Sequence, residues 1–336
     1  MKAVTIAICT YNYERYLADA IDSALAQDYP ATRVLVVDDG STDRSRAIIE
    51  GYGSRIRAVF KPNGGQVSAY NRALEEVDTE YLILLDADDL LYPAAVTEVM
   101  RCFSSGDYAK VQFRLDVISQ DGEGMGVTVP HSDAPKDCGS LLRAGWLYPS
   151  PPASGNAYKK SALCKIFPMP ETTEGRYGAD FFAIYGVALV GQVASISFPL
   201  GAYRVHNSAP EDVSFANSEK SNKAPKAYTA RWNILRHVAN NRLNVELPPS
   251  FHDFSHEKAI FCSEVYGAPL SDRWRWFVFE SRDYLHSILA NPFWGPVKKI
   301  GTLGLSCLCL VPYAPLSNYV VRFISNPLAR RGSAAP

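Results

Sequence analysis

The stretch Tyr81-Leu82-Ile83-Leu84-Leu85-Asp86-Ala87-Asp88-Asp89 limits this chain more than any other. Five apolar or aromatic residues in a row read as a strand buried on both faces, the kind found in a parallel sheet covered by helices. The strand runs straight into three carboxylates within four positions. Like charges that close repel, so the arrangement costs stability unless a cation neutralises it. An extended backbone points Asp86 and Asp88 the same way. Oxygen ligands in that array suit Mg²⁺ or Mn²⁺ shared with a substrate phosphate. Open α/β sheets bind ligands beyond the carboxyl ends of their strands, which is where these acids fall. A second reading stands beside the first: a solvated acidic turn leading into a helix, with Asp89 as the cap.

The rest of the N-terminal half repeats the rhythm. Val4 to Cys9 is an apolar strand closed by Thr10-Tyr11-Asn12, and Leu17, Ile21 and Leu25 recur at helical spacing before Asp28-Tyr29-Pro30. Arg33 to Val37 gives a second strand, ending in Asp38-Asp39-Gly40-Ser41-Thr42-Asp43, where Gly permits the turn and Ser41 or Thr42 can cap the next helix. Ile56 to Phe60 is a third strand, Asn63-Gly64-Gly65 a turn, and Gln66 to Glu76 a third helix. Strand alternating with helix predicts an α/β fold, a doubly wound, mostly parallel sheet with helices on both faces. With 47 % hydrophobic and 21 % charged residues, a large core is expected and wholesale disorder is not. A net charge of -1 offers no bulk basic surface, so nucleic acid is not an expected partner. The seven cysteines are scattered and odd in number, which argues for reduced thiols and a cytoplasmic catalytic part.

Thr10-Tyr11-Asn12, Val37 to Asp43, Gly65 to Asn71 and Asp86-Ala87-Asp88-Asp89 each follow a predicted strand, in one fixed order. This pattern resembles the nucleotide-sugar-binding half of the family 2 glycosyltransferases, inverting enzymes of the GT-A fold. The resemblance covers residues 1–105 well and continues more loosely to about 208. It implies a catalytic domain over 1–208, with a nucleotide-sugar half (1–105) and an acceptor half (106–208). A mainly helical region, 209–336, would follow.

By that resemblance, Thr10, Tyr11 and Asn12 contact base and ribose, with Asp38 beside them. Asp39 accepts from an imide N–H, a preference that fits uracil. Gly65, Asn71, Ala87 and Arg204 join the donor site, and Asp86 lies near the ribose. Asp88 is the direct metal ligand, and His206 completes the metal site or contacts phosphate. Tyr70 and Ala73 depart from the family's Arg and Gly, so Arg72 either replaces the missing guanidinium or projects into solvent; Lys61 is equally open. Asp180 matches an acid that opens a helix facing the acceptor, although Ala179 replaces the usual Glu before it. A carboxylate there can take the proton from an attacking hydroxyl, or merely cap the helix. Glu171 and Glu174 are weaker candidates for that base. Trp146, Tyr158 and Asn156, around the loop Ser150 to Tyr158, are the acceptor-binding candidates; packing of the loop is the competing reading.

Asn217 to Asn240 and Phe254 to Ala290 read as helices, and Ile300 to Val321 contains no charged residue. Pro312 and Pro315 interrupt that last run, and Lys298, Lys299 and Arg322 flank it, which favours peripheral or re-entrant membrane contact over a clean crossing. A hydrophobic helix pair packed on the protein accounts for the same pattern. The expected activity is metal-dependent inverting transfer from a nucleotide-diphosphate sugar, UDP-linked, to a saccharide or lipid-linked acceptor at the inner membrane face. A sugar-phosphate nucleotidyltransferase is a rival, but lacks support from a Gly-rich basic loop after the first strand. A non-catalytic assembly protein with a disabled site is the other.

Overall fold

The computed structural model describes residues 1–172, 176–206 and 225–330. The elements of its first part run β1 (Val4–Thr10), α1 (Leu17–Leu25), β2 (Thr32–Asp38), α2 (Ser45–Gly51), β3 (Arg57–Phe60), α3 (Gln66–Glu76), β4 (Tyr81–Asp86), β5 (Leu90–Leu91), α4 (Ala95–Ser104), β6 (Tyr108–Ile118), β7 (Gly124–Val129), α5 (Cys138–Arg143), β8 (Asn156–Lys159), α6 (Lys160–Leu163), α7 (Ala179–Phe181), β9 (Gln192–Arg204) and α8 (Pro225–Val238). All strands join one sheet in the order β3-β2-β1-β4-β8-β6-β9-β5, with β7 on β6. β1 to β4 form the expected parallel half, Ile6 pairing with Val34 on one side and Ile83 on the other. β8 then runs antiparallel between β4 and β6, which makes the whole sheet mixed. Ile6, Ile8, Val36, Ile83 and Leu85 lie in one core with Leu17, Ile21, Val96 and Val99 from α1 and α4. Burial on both faces is why these strands are apolar without alternation.

The chain divides into two units: Met1–Arg204 with Thr229–Phe251, and Val205–Tyr228 with His252–Pro336. The segment 229–251, read from sequence as part of the C-terminal region, thus groups with the first unit. Within that unit Trp232 is fully buried and donates to the Pro248 carbonyl, while Arg242 donates to the carbonyls of Ile166 and Pro168. The expected helix over 217–240 begins at Pro225 among described residues; 217–224 lie outside them.

The second unit holds α9 (Phe254–Val265), α10 (Leu270–Phe279), α11 (Arg282–Leu289), α12 (Pro296–Leu308) and α13 (Ala314–Ser325). The helical stretch expected over 254–290 is three helices, broken first where Gly267 takes φ +70° and Pro269 follows it, and again at Glu280-Ser281. Phe261 stacks on Tyr284 at 4.7 Å, and Val320, Val321 and Ile324 of α13 pack into the same core. The uncharged run 300–321 is therefore two helices parted at Pro312, with one face of α13 buried in its own unit. Among the described residues, no helix is long and apolar enough to cross a membrane.

β6 carries a feature the sequence reading passed over: Lys110 is fully buried, and its Nζ donates to Tyr148 Oη (3.2 Å) and Ser150 Oγ (3.0 Å). Burial pushes its ammonium well below the usual lysine range. Between that depressed value and the ordinary one of about 10.4, the unfolded chain binds the proton and the folded chain does not. Stability therefore rises with pH across this window. Lys110→Met should melt higher than wild type at pH 7, with the gap closing toward pH 10 in thermal unfolding. A variant less stable than wild type at pH 7 would contradict this account.

Candidate active site

The acids that follow β4 are held by a buried knot. Asp89 has no exposed surface; its carboxylate accepts from Ser154 Oγ (2.6 Å) and from the Arg204 amide (2.8 Å). Ser154 Oγ in turn accepts from the Asp86 amide (3.0 Å), and the Asp89 amide donates to the Asp86 carbonyl (3.2 Å). One carboxylate thus ties the end of β4, the turn Ala153–Gly155 and the end of β9. Asp89 acts inside this turn, and Asp86 and Asp88 remain as the pair for a ligand.

Arg204 completes the knot. Its Nε donates to the Asp88 carbonyl (2.9 Å), its Nη1 to the carbonyls of Gln120 (3.1 Å) and Ser119 (3.4 Å), and its guanidinium lies 4.8 Å from the Tyr16 ring centre. Only 3 % of the residue is exposed. Backbone carbonyls engage Nε and Nη1, while Nη2 lies 3.8 Å from Asp19 Oδ2, so a phosphate contact by Arg204 would fall to Nη2.

Asp180 opens α7, which continues into a π-helical turn, Phe182–Gly186. Burial raises the Asp86 carboxyl well above the usual carboxylate range, and the nearby charges of Asp88 and Asp180 raise it further. Burial likewise raises Asp180, opposed by the guanidinium of Arg231. Tyr70 and Tyr158 both feel Asp86 and Asp180, so the two rings flank that pair. The Tyr70 hydroxyl is buried with no hydrogen-bond partner among the described residues. Arg231 was not singled out from sequence. It comes from α8, more than fifty positions downstream, and packs so closely on Gly178 that a Cβ there would lie 2.2 Å from its Nε.

At the ends of β1 and β2 the loops are latched to each other. Asn12, at φ +58°, accepts from the Thr42 amide (2.7 Å) and donates its own amide to Ser41 Oγ (2.9 Å). Asp38 accepts from the Ser41 hydroxyl (2.5 Å) and amide (3.2 Å). The Asp39 carboxylate accepts from Lys61 Nζ (2.5 Å), the amides of Gly64 (2.9 Å) and Gly65 (2.7 Å), and Asn63 Nδ2 (3.1 Å). Reading a base with Asp39 requires giving up one of these four bonds. Lys61 is thereby placed on Asp39. Tyr11 and Tyr13 remain exposed at the rim, and Thr10 beside them is buried with an unpartnered hydroxyl.

Other expected residues turn inward. Asn71 exchanges hydrogen bonds with the Met169 backbone and donates to Glu171, tying down the 169–171 loop. Arg72 pairs with Glu75 and Glu76 on its own helix, the solvent-facing alternative. Asn156 is fully buried and donates to the carbonyls of Pro152 (2.8 Å) and Ala153 (3.2 Å), while Tyr158 lies in the core of β8. Neither side chain is presented to an acceptor, which favours the packing reading of that loop. Trp146 is half-buried after α5, and Ala87 is buried between the acids. His206 falls in the second unit and is half-buried. Glu174 lies outside the described residues.

Among the described residues, no three of His, Cys, Asp or Glu are grouped to hold a metal ion. The acids still suit a cation of the Mg²⁺ type. Such ions take one or two protein carboxylates and fill the other positions with water and substrate phosphate. Burial, with the charges of Asp88 and Asp180 added to it, raises the Asp86 carboxyl, and a cation bound there would favour its ionised form.

Acids gathered beyond the carboxyl ends of a sheet whose first strands run 3-2-1-4 define an α/β nucleotide-binding class. Residues 5–155 match the model of glycosyl transferase family 2, and over them the chain is similar to that family. An uncharacterized glycosyltransferase of Nostoc sp. is 35 % identical over 211 residues, 60 % of this chain and 65 % of that protein. A teichoic acid poly(glycerol phosphate) polymerase of Staphylococcus epidermidis is 37 % identical over 112 residues, 32 % of this chain and 16 % of that protein. The chain spans less than two thirds of either relative. Its fold is that of S. aureus TarS 1-349 in complex with UDP-GlcNAc, with TM-score 0.53 and 16 % identity over 96 % of this chain and 91 % of that one. The family match sets the nucleotidyltransferase rival aside.

The placement of Arg204 yields a test. Arg204→Met takes the guanidinium donor from the buried Asp88 carbonyl and the half-buried Gln120 carbonyl, a loss on the order of 3 kcal/mol. By the usual scaling this lowers the melting temperature by roughly 6–12 °C. An unchanged melting temperature with weakened UDP binding would restore the phosphate role.

Proposed function

We propose that this chain is an inverting glycosyltransferase that moves a sugar from a UDP-sugar to a hydroxyl of a saccharide or glycolipid acceptor. The observation that supports the reading is that Asp86, at the end of β4, feels the charges of both Asp88 and Asp180, the acid that opens α7. Asp180 takes the proton from the acceptor hydroxyl as that oxygen attacks the anomeric carbon opposite the leaving diphosphate. One base and one displacement invert the configuration. A carboxyl raised by burial is a stronger base than an exposed one, and Arg231 keeps enough positive charge nearby for it to ionise. Asp88 and Asp86 would hold Mn²⁺ or Mg²⁺ with the donor diphosphate. The ion would neutralise charge on the departing diphosphate. Tyr11, Tyr13 and Thr10 are the groups best placed for the nucleoside.

UDP as the carrier is supported by the TarS complex, and assembly of a surface polymer by the polymerase relative. A thermal-shift panel of UDP, GDP, CDP and dTDP, with Mn²⁺ or with chelator, tests donor and metal together. UDP with Mn²⁺ should raise the melting temperature, and Asp88→Ala should abolish the metal-dependent part. A shift equal with and without chelator would sink the metal assignment.

Work at the inner membrane face completes the proposal, through exposed apolar groups of the second unit on α10, α11 and α12. Phe279 is 78 % exposed and lines a shallow groove of about 440 Å³ with Val278, Arg282, Leu285 and Leu289. Lys299 Nζ donates to the Leu289 carbonyl (2.8 Å), and Val297 and Ile300 beside it are exposed. Apolar groups rimmed by Arg282, Lys298 and Lys299 suit an anionic bilayer surface. Vesicles containing phosphatidylglycerol should co-sediment the protein, and Phe279→Asp with Leu289→Asp should cut the bound fraction several-fold. Equal binding of wild type and the double variant would refute this surface.

A further inference from the structure

The helix that carries Asp180 starts without a cap of its own. Gly178, at φ +88°, precedes it and has no side chain to offer, and the first amides of a helix have no partner within it. The acceptor comes from a different part of the chain. Gln66 Oε1 accepts from the Gly178 amide (2.7 Å) and from the Ala179 amide (3.1 Å). The arrangement is reciprocal: Gln66 opens α3, and the Val67 amide of that helix donates to the Arg176 carbonyl (3.3 Å). Two helix starts, more than one hundred residues apart in sequence, therefore satisfy each other's orphan amides.

The contact is tight and directional. A Cβ on Gly65 would lie 2.3 Å from Arg176 Cγ and 2.9 Å from its carbonyl oxygen. Arg176 also donates to the Asn63 side chain. On its other side the same 63–65 loop is held by Asp39 through Asn63, Gly64 and Gly65. A continuous set of hydrogen bonds thus runs from the end of β2, through Gln66, to the residue immediately before Asp180.

We infer that Gln66 is a positioning residue: by capping Gly178 and Ala179 from across the site, it fixes the direction in which the Asp180 carboxylate is presented. This rests on the reading of Asp180 as the base. A base must lie within hydrogen-bond reach of the hydroxyl it deprotonates, so displacement of its backbone acts on turnover and not on donor affinity. Gln66 itself touches no reacting atom. Its role is met by any side chain of the same length that ends in an acceptor oxygen.

The test compares Gln66→Met, which keeps length and loses the acceptor, with Gln66→Glu, which keeps the acceptor, and with Asp180→Asn. All are made in the full chain. Three readouts are taken: UDP release from the UDP-sugar that turns over fastest with Mn²⁺, the melting-temperature shift with UDP and Mn²⁺, and amide hydrogen exchange of the peptide spanning 176–182. Gln66→Met should lower kcat by about 10- to 100-fold with donor KM and the UDP shift unchanged. Its Gly178 and Ala179 amides should exchange faster, and Gln66→Glu should recover most of the lost kcat. A merely structural role would lower the melting temperature of Gln66→Met without separating kcat from KM. The inference is overturned if Gln66→Met turns over at the wild-type rate while Asp180→Asn is inactive, or if Gln66→Glu is as impaired as Gln66→Met. Wild-type turnover by Asp180→Asn would instead remove the base assignment itself, and the inference with it.

Discussion

A single buried carboxylate, Asp89, is the constraint on which the site depends. An ionisable group with no exposed surface is tolerated only if its lone pairs are met, and Ser154 and the Arg204 amide meet them. The result is mechanical. β4 could end in any turn, but the turn 86–89 is held to the Ala153–Gly155 turn on one side and to the end of β9 on the other. Two acids then stand side by side where water alone would let them separate. Burial, and after it the charges of Asp88 and Asp180, is why Asp86 holds its proton well above the ordinary carboxylate range. Stability is given up at the place where a cation and a diphosphate would restore it.

Asp39 plays the same part on the nucleoside side. Four donors converge on one carboxylate, and each comes from the 61–65 loop. Charge-assisted bonds of this kind are stronger than neutral ones, so that loop is fixed although it is rich in glycine. Fixing it matters because α3 starts there, and the start of α3 caps the start of α7. The two acid-centred knots differ in what they hold. Asp89 holds the turn that carries Asp86 and Asp88; Asp39 holds the loop from which α7 takes its cap.

The parallel half of the fold was legible because burial on both faces leaves uninterrupted apolar runs, and Val4 to Cys9, Arg33 to Val37 and Tyr81 to Leu85 are such runs. The resemblance added the order of the loops, and Asp86 feels the charges of Asp88 and Asp180. What the sequence concealed are residues whose partners are distant. Arg204 looks like a phosphate ligand until Asp88, Ser119 and Gln120 supply the carbonyls that absorb its Nε and Nη1 donors. Asn156 and Tyr158 lie in a stretch that reads as a polar loop, yet β8 is an inner strand of the sheet and buries both. Lys110 breaks the apolar pattern of β6 and carries no local sign of the Tyr148 and Ser150 oxygens that accept from it.

The division of labour among the acids follows from burial and partner number. Asp38, Asp39 and Asp89 each accept from groups of this chain and so act as architecture; a ligand has to compete with bonds already made. Asp86 and Asp180 are held close to like charge, and what moderates Asp180 is a cation, Arg231, set by a helix far downstream. Substitution of an architectural acid therefore disturbs every residue its bonds fix, whereas substitution of Asp180, the proposed base, changes the charge beside Asp86 and leaves those bonds in place. An acid-rich site in this fold is two populations of carboxylate. The burial of the first is what allows the second to sit in mutual repulsion.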